Sequence, residues 1–192
     1  MTSLPSWYPF AKEEKPAPMP LLLVQAFLNT RHFEGDSDLL SDPETARRWL
    51  VETQLLPRTA KVTAAELELA RGMRESIRRL LSVRRGEAPG APALRPLRQL
   101  ADAHSACLTV DDQGELRLDN PRHSDLGDGM FDLLLIVRDA QEHGSWSRLK
   151  VCGNSKCRWA FYDRSRNQQG HWCEMAVCGN RLKNRAFRAR RR

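Results

Sequence analysis

Apolar residues recur every three or four positions along much of the chain, which is the spacing of one buried helix face. The first such stripe predicts a helix from Leu21 and consists of Leu21, Val24, Phe27 and Leu28. The segment Ser41-Asp42-Pro43-Glu44 then has capping-box spacing, with a proline near the first turn. A second short helix is therefore predicted there, with a buried stripe of Ala46, Trp49 and Leu50.

Three more helices follow from the same pattern. The longest is predicted from about Thr63 to Arg84, and its apolar face consists of Leu67, Ala70, Met73, Ile77, Leu80 and Leu81. Another is predicted from Leu94 to His104. Residues Asp128 to Glu142 are apolar almost all round, so this helix is expected at the centre of the core.

Alternation of apolar and polar residues appears in one place. Leu108-x-Val110 and Leu116-x-Leu118 flank Asp111-Asp112-Gln113-Gly114, which predicts a β-hairpin with glycine at the turn. The predicted fold class is mainly α with a small β-hairpin.

The chain divides into three predicted regions. Residues 1–20 contain five of the eleven prolines and are expected to be extended. Residues 21–145 form a helical domain, and a fragment ending near Gly144 is expected to fold alone because it contains enough apolar residues for a core. His143-Gly144-Ser145 breaks the last helix and leads into a C-terminal module at residues 146–192.

Four cysteines in the last region are arranged as two pairs, Cys152-x4-Cys157 and Cys173-x4-Cys178. Two such pairs supply the four thiolates that tetrahedral zinc takes in closed structural sites. One structural Zn²⁺ is therefore predicted. Disulfides are the alternative, and a reducing compartment makes them the weaker one.

The flanks of the cysteines predict the shape of this module. Leu149-Lys150-Val151 and Arg158 to Tyr162 are interpreted as two short strands joined by a zinc knuckle. Five residues advance a helix by about 500°, so Cys173 and Cys178 cannot share one helical face. Cys173 is therefore expected in the turn before, or the first turn of, a helix that continues past Cys178.

Positive charge is concentrated in the same module. Residues 148–192 contain thirteen Lys or Arg against Asp163 and Glu174, a formal charge of +11, which leaves −4 for the rest of a chain whose total is +7. Such a density favours a polyanionic partner. A solvated, solubilising tail is the alternative.

The motifs around the cysteines resemble those of a known family. Cys178-Gly179-Asn180-Arg181, preceded by Trp172-Cys173-x-Met175 and by Phe161-Tyr162-Asp163-x-Ser165-Arg166-Asn167, is similar to the CGNR zinc finger of bacterial proteins over about residues 148–188. Leu28-Asn29-Thr30 and the segment from Asp38-Leu39-Leu40 to Trp49-Leu50 resemble the domain that usually precedes this finger. The resemblance implies a treble-clef-like finger in a stress-associated transcription regulator.

One position departs from the family pattern. The family usually has basic residues just before the Trp-Cys pair, whereas this chain has Gly170-His171. The change removes a phosphate contact and places His171 near the metal as an alternative ligand.

The leading function hypothesis is binding of duplex DNA by the finger and its basic helix. The candidate contacts are Arg166, Asn167, Asn180, Arg181, Lys183, Arg185 and Arg188, most of them to phosphates. Asn180 could instead cap backbone groups. Binding of RNA or single strands is the rival, because Trp159, Phe161, Tyr162 and Trp172 could stack on bases or form the finger's own core. A protein-interaction module is the third hypothesis.

The helical domain is expected to sense a small-molecule effector or to form a homodimer. Asn29, Thr30, Arg31 and His32 are the only polar cluster interpreted as a ligand pocket, with a solvated helix cap as the alternative. No enzymatic activity is expected, because zinc held by four cysteines has no open position for water. The start of the chain lacks a secretory signal and no apolar run reaches about twenty residues, so a cytoplasmic protein without a membrane partner is expected.

Overall fold

The computed structural model describes residues 4–10, 13–83 and 87–180. Within them the chain is mainly helical, with five α-helices and three two-stranded antiparallel hairpins, which confirms the predicted fold class. The helices are α1 Leu21–Asn29, α2 Pro43–Glu52, α3 Ala64–Ser82, α4 Ala91–Ala103 and α5 Leu126–Glu142. The strands are β1 Arg31–His32, β2 Ser37–Asp38, β3 Cys107–Val110, β4 Leu116–Asp119, β5 Leu149–Val151 and β6 Ala160–Tyr162.

Polar side chains set where two of the helices begin. The carboxylate of Asp42 accepts hydrogen bonds from the amides of Glu44 and Thr45, so α2 begins after Asp42 and not after Ser41. Thr63 and Glu66 form a complete capping box at the start of α3. The helix ends at Ser82, two residues before the predicted end at Arg84, because the backbone of Val83 is extended.

Two further helix starts differ from the sequence prediction. The helix α4 begins at Ala91 instead of Leu94, because Pro92 fits the first helical turn directly after Gly90, whose φ is +87°. The helix α5 begins two residues before Asp128, because the side chain of Asp125 accepts the amide hydrogen of Asp128.

The core is built around α1 and α5, which pack against each other and against α3. Eight of the nine residues of α1 are buried, which explains why its apolar pattern is nearly continuous. The side chains at the centre, all fully buried or nearly so, are Val24, Phe27, Leu28, Met73, Ile77, Met130 and Leu133.

The hairpin β1–β2 was not predicted. Its two-residue strands pair Arg31 with Asp38 and His32 with Ser37, directly after α1. The guanidinium of Arg74 on α3 holds the hairpin through two bonds to the carboxylate of Asp38, at 2.7 and 2.6 Å, and one to the hydroxyl of Thr30 at 2.8 Å. A tertiary contact therefore fixes these strands, and no local alternation signals them.

The hairpin β3–β4 forms where it was predicted, with Leu108 opposite Leu118 and Val110 opposite Leu116. Its apolar residues do not enter the core. Leu108, Val110 and Leu116 are each about two-thirds exposed. The alternation thus predicted the strands correctly but not the direction of the apolar face.

The predicted C-terminal module shares the core of the helical part. Leu149, Ala160 and Tyr162 of β5 and β6 belong to the same buried cluster as the helix residues. The fully buried guanidinium of Arg78 on α3 donates to the carbonyls of Leu28 and Arg158, at 2.6 and 2.8 Å. The predicted boundary near residue 145 therefore separates sequence motifs, but residues on both sides of it pack in the same core. No helix in the described residues is long and apolar enough to cross a membrane.

The N-terminal segment, predicted as extended, packs across this junction. The carbonyl of Lys15 accepts hydrogen bonds from the amide of Tyr162, at 2.9 Å, and from the side chain of Gln25, at 3.1 Å. The carboxylate of Glu13 accepts from the indole of Trp159 at 2.7 Å and from the hydroxyl of Tyr8 at 2.9 Å. The segment is thus bonded to both halves of the molecule.

Candidate metal centre

The first cysteine pair sits in a tight turn between β5 and β6. The amide of Cys152 donates to the carbonyl of Trp159 at 2.8 Å, which closes the hairpin beneath the turn. The carbonyl of Asn154 accepts from the amides of Cys157 and Arg158, at 2.9 and 3.0 Å, and Arg158 has φ of +51°. These bonds curl the backbone so that both thiols point to the same side, as in the predicted knuckle.

The second pair spans a helical turn. Cys173 lies in the bend before it, and Met175–Gly179 form a single π-turn that contains Cys178. The amide of Cys178 donates to the carbonyl of Glu174 at 3.0 Å. Cys173 precedes a helical turn that contains Cys178, as predicted, while the predicted continuation of this helix past Asn180 lies outside the described residues. The π-turn accommodates a spacing that a regular α-helix would place on opposite faces.

The four thiols form one compact cluster. All four sulfur atoms lie within 4.8 Å of one another, and the Sγ–Sγ distances are 3.7 Å between Cys157 and Cys173 and 3.8 Å between Cys173 and Cys178. Four sulfurs placed tetrahedrally about 2.3 Å from zinc are separated by about 3.8 Å. All the cysteines are free thiols, so the disulfide alternative is not realised. The donor set and its size fit one structural zinc ion.

The acid–base chemistry of the cluster also favours a cation. Hydrogen bonds from Cys157 and Cys173 lower the pKa of the Cys152 thiol, and the same contacts raise the pKa of Cys157 to about 12 and raise the pKa of Cys173. Without a metal, ionised Cys152 therefore opposes the ionisation of Cys157 and Cys173, because each new thiolate would be repelled by the first. A divalent cation removes this penalty and permits all four to ionise.

The surroundings of the cluster are mostly apolar. Cys152, Cys157 and Cys178 are buried with Phe161, while Trp159 and Trp172 pack around them. The amide of Asn154 donates to the sulfur of Cys178 at 3.7 Å, a contact that orients a metal ligand from outside the donor set. His171 is exposed and is absent from the metal-ligating group in the described part of the chain, so its predicted role as an alternative ligand gains no support.

Most of the aromatic residues considered for base stacking are buried or bonded within the protein. Phe161 is fully buried and Tyr162 nearly so, while the indole of Trp159 is bonded to Glu13. Only Trp172 and part of Trp159 retain accessible surface. The interpretation of these rings as the finger's own core accounts for their positions.

The predicted nucleic-acid contacts fall into two groups. Arg166 and Asn167 are exposed in the loop between β6 and Cys173, and Asn180 is exposed directly after the π-turn. Arg181, Lys183, Arg185 and Arg188 lie outside the described residues. Arg166 and Asn167 lie in the loop that leads to Cys173, and Asn180 lies two residues after Cys178. All three are therefore exposed near a cysteine of the cluster.

The predicted ligand pocket has a different environment from the one expected. The side chain of Asn29 is fully buried and bonds to both backbone groups of Ala160, accepting from its amide at 2.8 Å and donating to its carbonyl at 2.9 Å. Thr30 is also buried, and neither of two surface clefts is lined by any of Asn29, Thr30, Arg31 or His32. A ligand site at these residues stays a prediction, while Asn29 has a clear structural role.

Sequence reasoning missed the residues that join the two halves. Arg78 is fully buried, and burial lowers the pKa of its guanidinium to about 10, with Glu75 opposing that effect. The guanidinium of Arg158 lies 3.1 Å from the carboxylate of Glu75. The position of Arg78 on the apolar face of α3, next to Ile77, was the available signal in the sequence, because an arginine there must find partners inside the protein.

A helical part that shares its core with a four-thiol finger defines a zinc-finger protein. Two family models match the chain: a CGNR zinc finger over residues 148–191, and ABATE, described as a putative stress-induced transcription regulator, over residues 22–143. Since the second match covers more than half of the chain, the protein belongs to the ABATE family, and the resemblance noted in the sequence is confirmed. No curated protein matches the chain.

Proposed function

We propose that the protein is a zinc-dependent transcription regulator whose finger binds duplex DNA. The observation that carries the proposal is the four-thiol cluster, which fixes the start of a strongly basic segment. Residues 181–192 contain seven Arg or Lys and no acidic residue. A metal-anchored cation array of this kind suits the regular spacing of duplex phosphates.

Several finer parts of the proposal rest on the sequence and the family match. The helical part would sense an effector or form a homodimer, and the protein would act in the cytoplasm, where bacterial DNA is found. We propose no catalytic role, since a zinc ion with four thiolate ligands leaves no position for substrate or water.

The test is a binding series with duplex DNA, single-stranded DNA and single-stranded RNA at two or more salt concentrations. We expect the zinc-loaded chain to prefer duplex DNA, with log affinity falling against log salt at a slope of about −4 to −5, as four to six phosphate contacts require. The control is Arg138→Ala, because Arg138 lies on α5 and pairs with Asp139 and Glu142. A single-strand preference would instead support the rival RNA or single-strand function.

A protein-interaction module would give a third result. The triple variant Arg181→Ala, Arg185→Ala and Arg188→Ala removes three candidate contacts, and we expect a slope shallower by about three. Duplex affinity unchanged by this variant, in protein that keeps its zinc, would leave protein interaction as the function of the finger.

A further inference from the structure

Residues 163–170, here called the Asp163 loop, join β6 to the second cysteine pair and are organised by one buried carboxylate. Asp163 is 4% exposed. Its Oδ1 accepts from the amide and hydroxyl of Ser165, at 3.0 and 2.6 Å, and its Oδ2 accepts from the amide of Gly170 at 2.7 Å. A single side chain therefore holds both ends of the loop.

A cation beneath the loop completes this arrangement. The ammonium of Lys150 on β5 donates to Oδ2 of Asp163 at 2.7 Å and also to the carbonyl of Gln168. Burial by itself would raise the pKa of Asp163, but the bonds from Lys150, Ser165 and Gly170 outweigh it and hold this pKa well below its usual range. The carboxylate is thus ionised at neutral pH.

The backbone of the loop is fixed at further points. The guanidinium of Arg148 donates to the carbonyls of Asp163 and Ser165, each at 3.1 Å. A Cβ atom at position 170 would lie 2.8 Å from Oδ2 of Asp163, so glycine leaves the space that the carboxylate fills.

Besides Ser165, the loop exposes five polar side chains: Arg164, Arg166, Asn167, Gln168 and Gln169. Arg164 donates to the carbonyl of Pro16 at 2.8 Å, and Gln168 accepts from the hydroxyl of Ser147 at 3.2 Å. Within the described residues, Arg166 and Gln169 make no hydrogen bond or ion pair. The Oδ1 of Asn167 lies 3.2 Å from the hydroxyl of Ser165, whose single hydrogen is donated to Asp163, and the NH₂ group of Asn167 donates to no described residue. Arginine and carboxamide side chains are the groups that bind base edges in pairs of hydrogen bonds.

We propose that the Asp163 loop is the base-reading element of the finger and that Asp163 is its positioning residue. The inference rests on the proposed binding of duplex DNA. Two observations favour bases over phosphates: three of the five outward residues are neutral amides, and a fixed backbone lowers the cost of ordering short, directional contacts. The basic residues after Cys178 would then supply affinity without sequence preference.

The experiment begins with selection of preferred duplexes from a random pool by the zinc-loaded full chain. Specificity is then the ratio of affinities for a preferred duplex and a scrambled one. We expect Asn167→Ala combined with Gln169→Ala to lower this ratio by about 10-fold or more, while affinity for the scrambled duplex and the salt slope stay the same. The matched control is Gln113→Ala, an exposed amide in the β3–β4 turn.

The positioning role has its own variants. Asp163→Asn replaces one acceptor oxygen by a donor, so it cannot bind both ends of the loop, and Gly170→Ala crowds the same carboxylate without touching DNA. We expect each to lower the specificity ratio while zinc content and the salt slope stay unchanged. General unfolding of the finger would instead reduce all three quantities together, and if Asp163→Asn does not fold, Gly170→Ala decides.

The experiments distinguish failure of the proposed DNA binding from failure of the base-reading role of the Asp163 loop. Absence of duplex binding by the unmodified chain would remove the proposed function and this inference with it. Duplex binding without sequence preference, or a preference that survives Asn167→Ala with Gln169→Ala, would overturn only the reading role of the Asp163 loop.

Discussion

At the scale of single residues, Asn29 is the side chain on which the contact between α1 and β6 depends. Its amide satisfies the backbone N–H and C=O of Ala160 and also donates to the hydroxyl of Tyr8 at 3.1 Å. Asn29→Ala leaves the buried N–H of Ala160 unpaired, while the carbonyl keeps its bond from Gln25, so we expect the free energy of unfolding to fall by about 1–3 kcal/mol. Urea unfolding measures this, with the exposed Gln113→Ala as control. A loss below about 0.5 kcal/mol, the usual range for surface substitutions, would contradict this role.

The ion pair of Asp38 with Arg74 makes the stability of the fold depend on pH. Burial would raise the pKa of Asp38, but the hydrogen bonds and charge of Arg74 outweigh it and lower this pKa below its ordinary value. The pair therefore stabilises the fold fully above the unfolded pKa, at about pH 4, and loses this contribution as the pH falls through the lower folded pKa. We expect the stability difference between the unmodified chain and Asp38→Asn to be constant from pH 7 to 5 and to shrink below pH 4.

Urea unfolding at pH 7, 5 and 3 measures that difference, and the zinc content of both proteins is checked at each pH. The control is Asp112→Asn in the exposed β3–β4 turn. A difference that grows on acidification would show that the ion pair of Asp38 with Arg74 is not its source.

At the scale of elements, the finger hairpin β5–β6 has three residue pairs and cannot be stable by its own packing. Zinc coordination supplies on the order of 10 kcal/mol to small folds of this kind. We expect chelation to melt β5–β6, reported by fluorescence of Trp159 and Trp172, which pack around the thiols. Cys157→Ser should bind metal more weakly, whereas Cys107→Ser on β3 should keep one zinc per chain. Stoichiometric zinc in Cys157→Ser at unchanged affinity would contradict the assigned donor set.

The elements also show what the sequence could predict. The five helices and the β3–β4 hairpin have apolar periods long enough to recognise, and the cysteine spacing identified the donor set because few residue types bind zinc. The hairpin β1–β2 was not predictable, since two-residue strands contain no period and Arg74 holds them from 36 positions away. Asn29 was interpreted as a pocket residue for the same reason: its partner, Ala160, is 131 positions distant. Interactions between distant segments decide both cases.

At the scale of the whole molecule, the finger, the helices and the N-terminal segment form one packing unit. A fragment ending at Gly144 would expose the helix surface that covers Leu149, Ala160 and Tyr162, and would leave the buried side chains of Gln25, Asn29 and Arg78 without their partners at Ala160 and Arg158. Each unpaired buried group costs about 1–3 kcal/mol, against a total stability of about 5–15 kcal/mol.

A fragment ending at Gly144 is therefore expected to be much less stable than the full chain. We expect it to keep helical structure but to unfold at a much lower urea concentration than the zinc-loaded full chain. The full chain should unfold in one transition, seen together by circular dichroism of the helices and by fluorescence of the finger tryptophans. A fragment as stable as the full chain, or a finger that melts without lowering the stability of the helices, would mean that the shared core contributes little. Coupling between the helical part and the finger would then be weak, because coupling between two sites requires a free energy that both of them share.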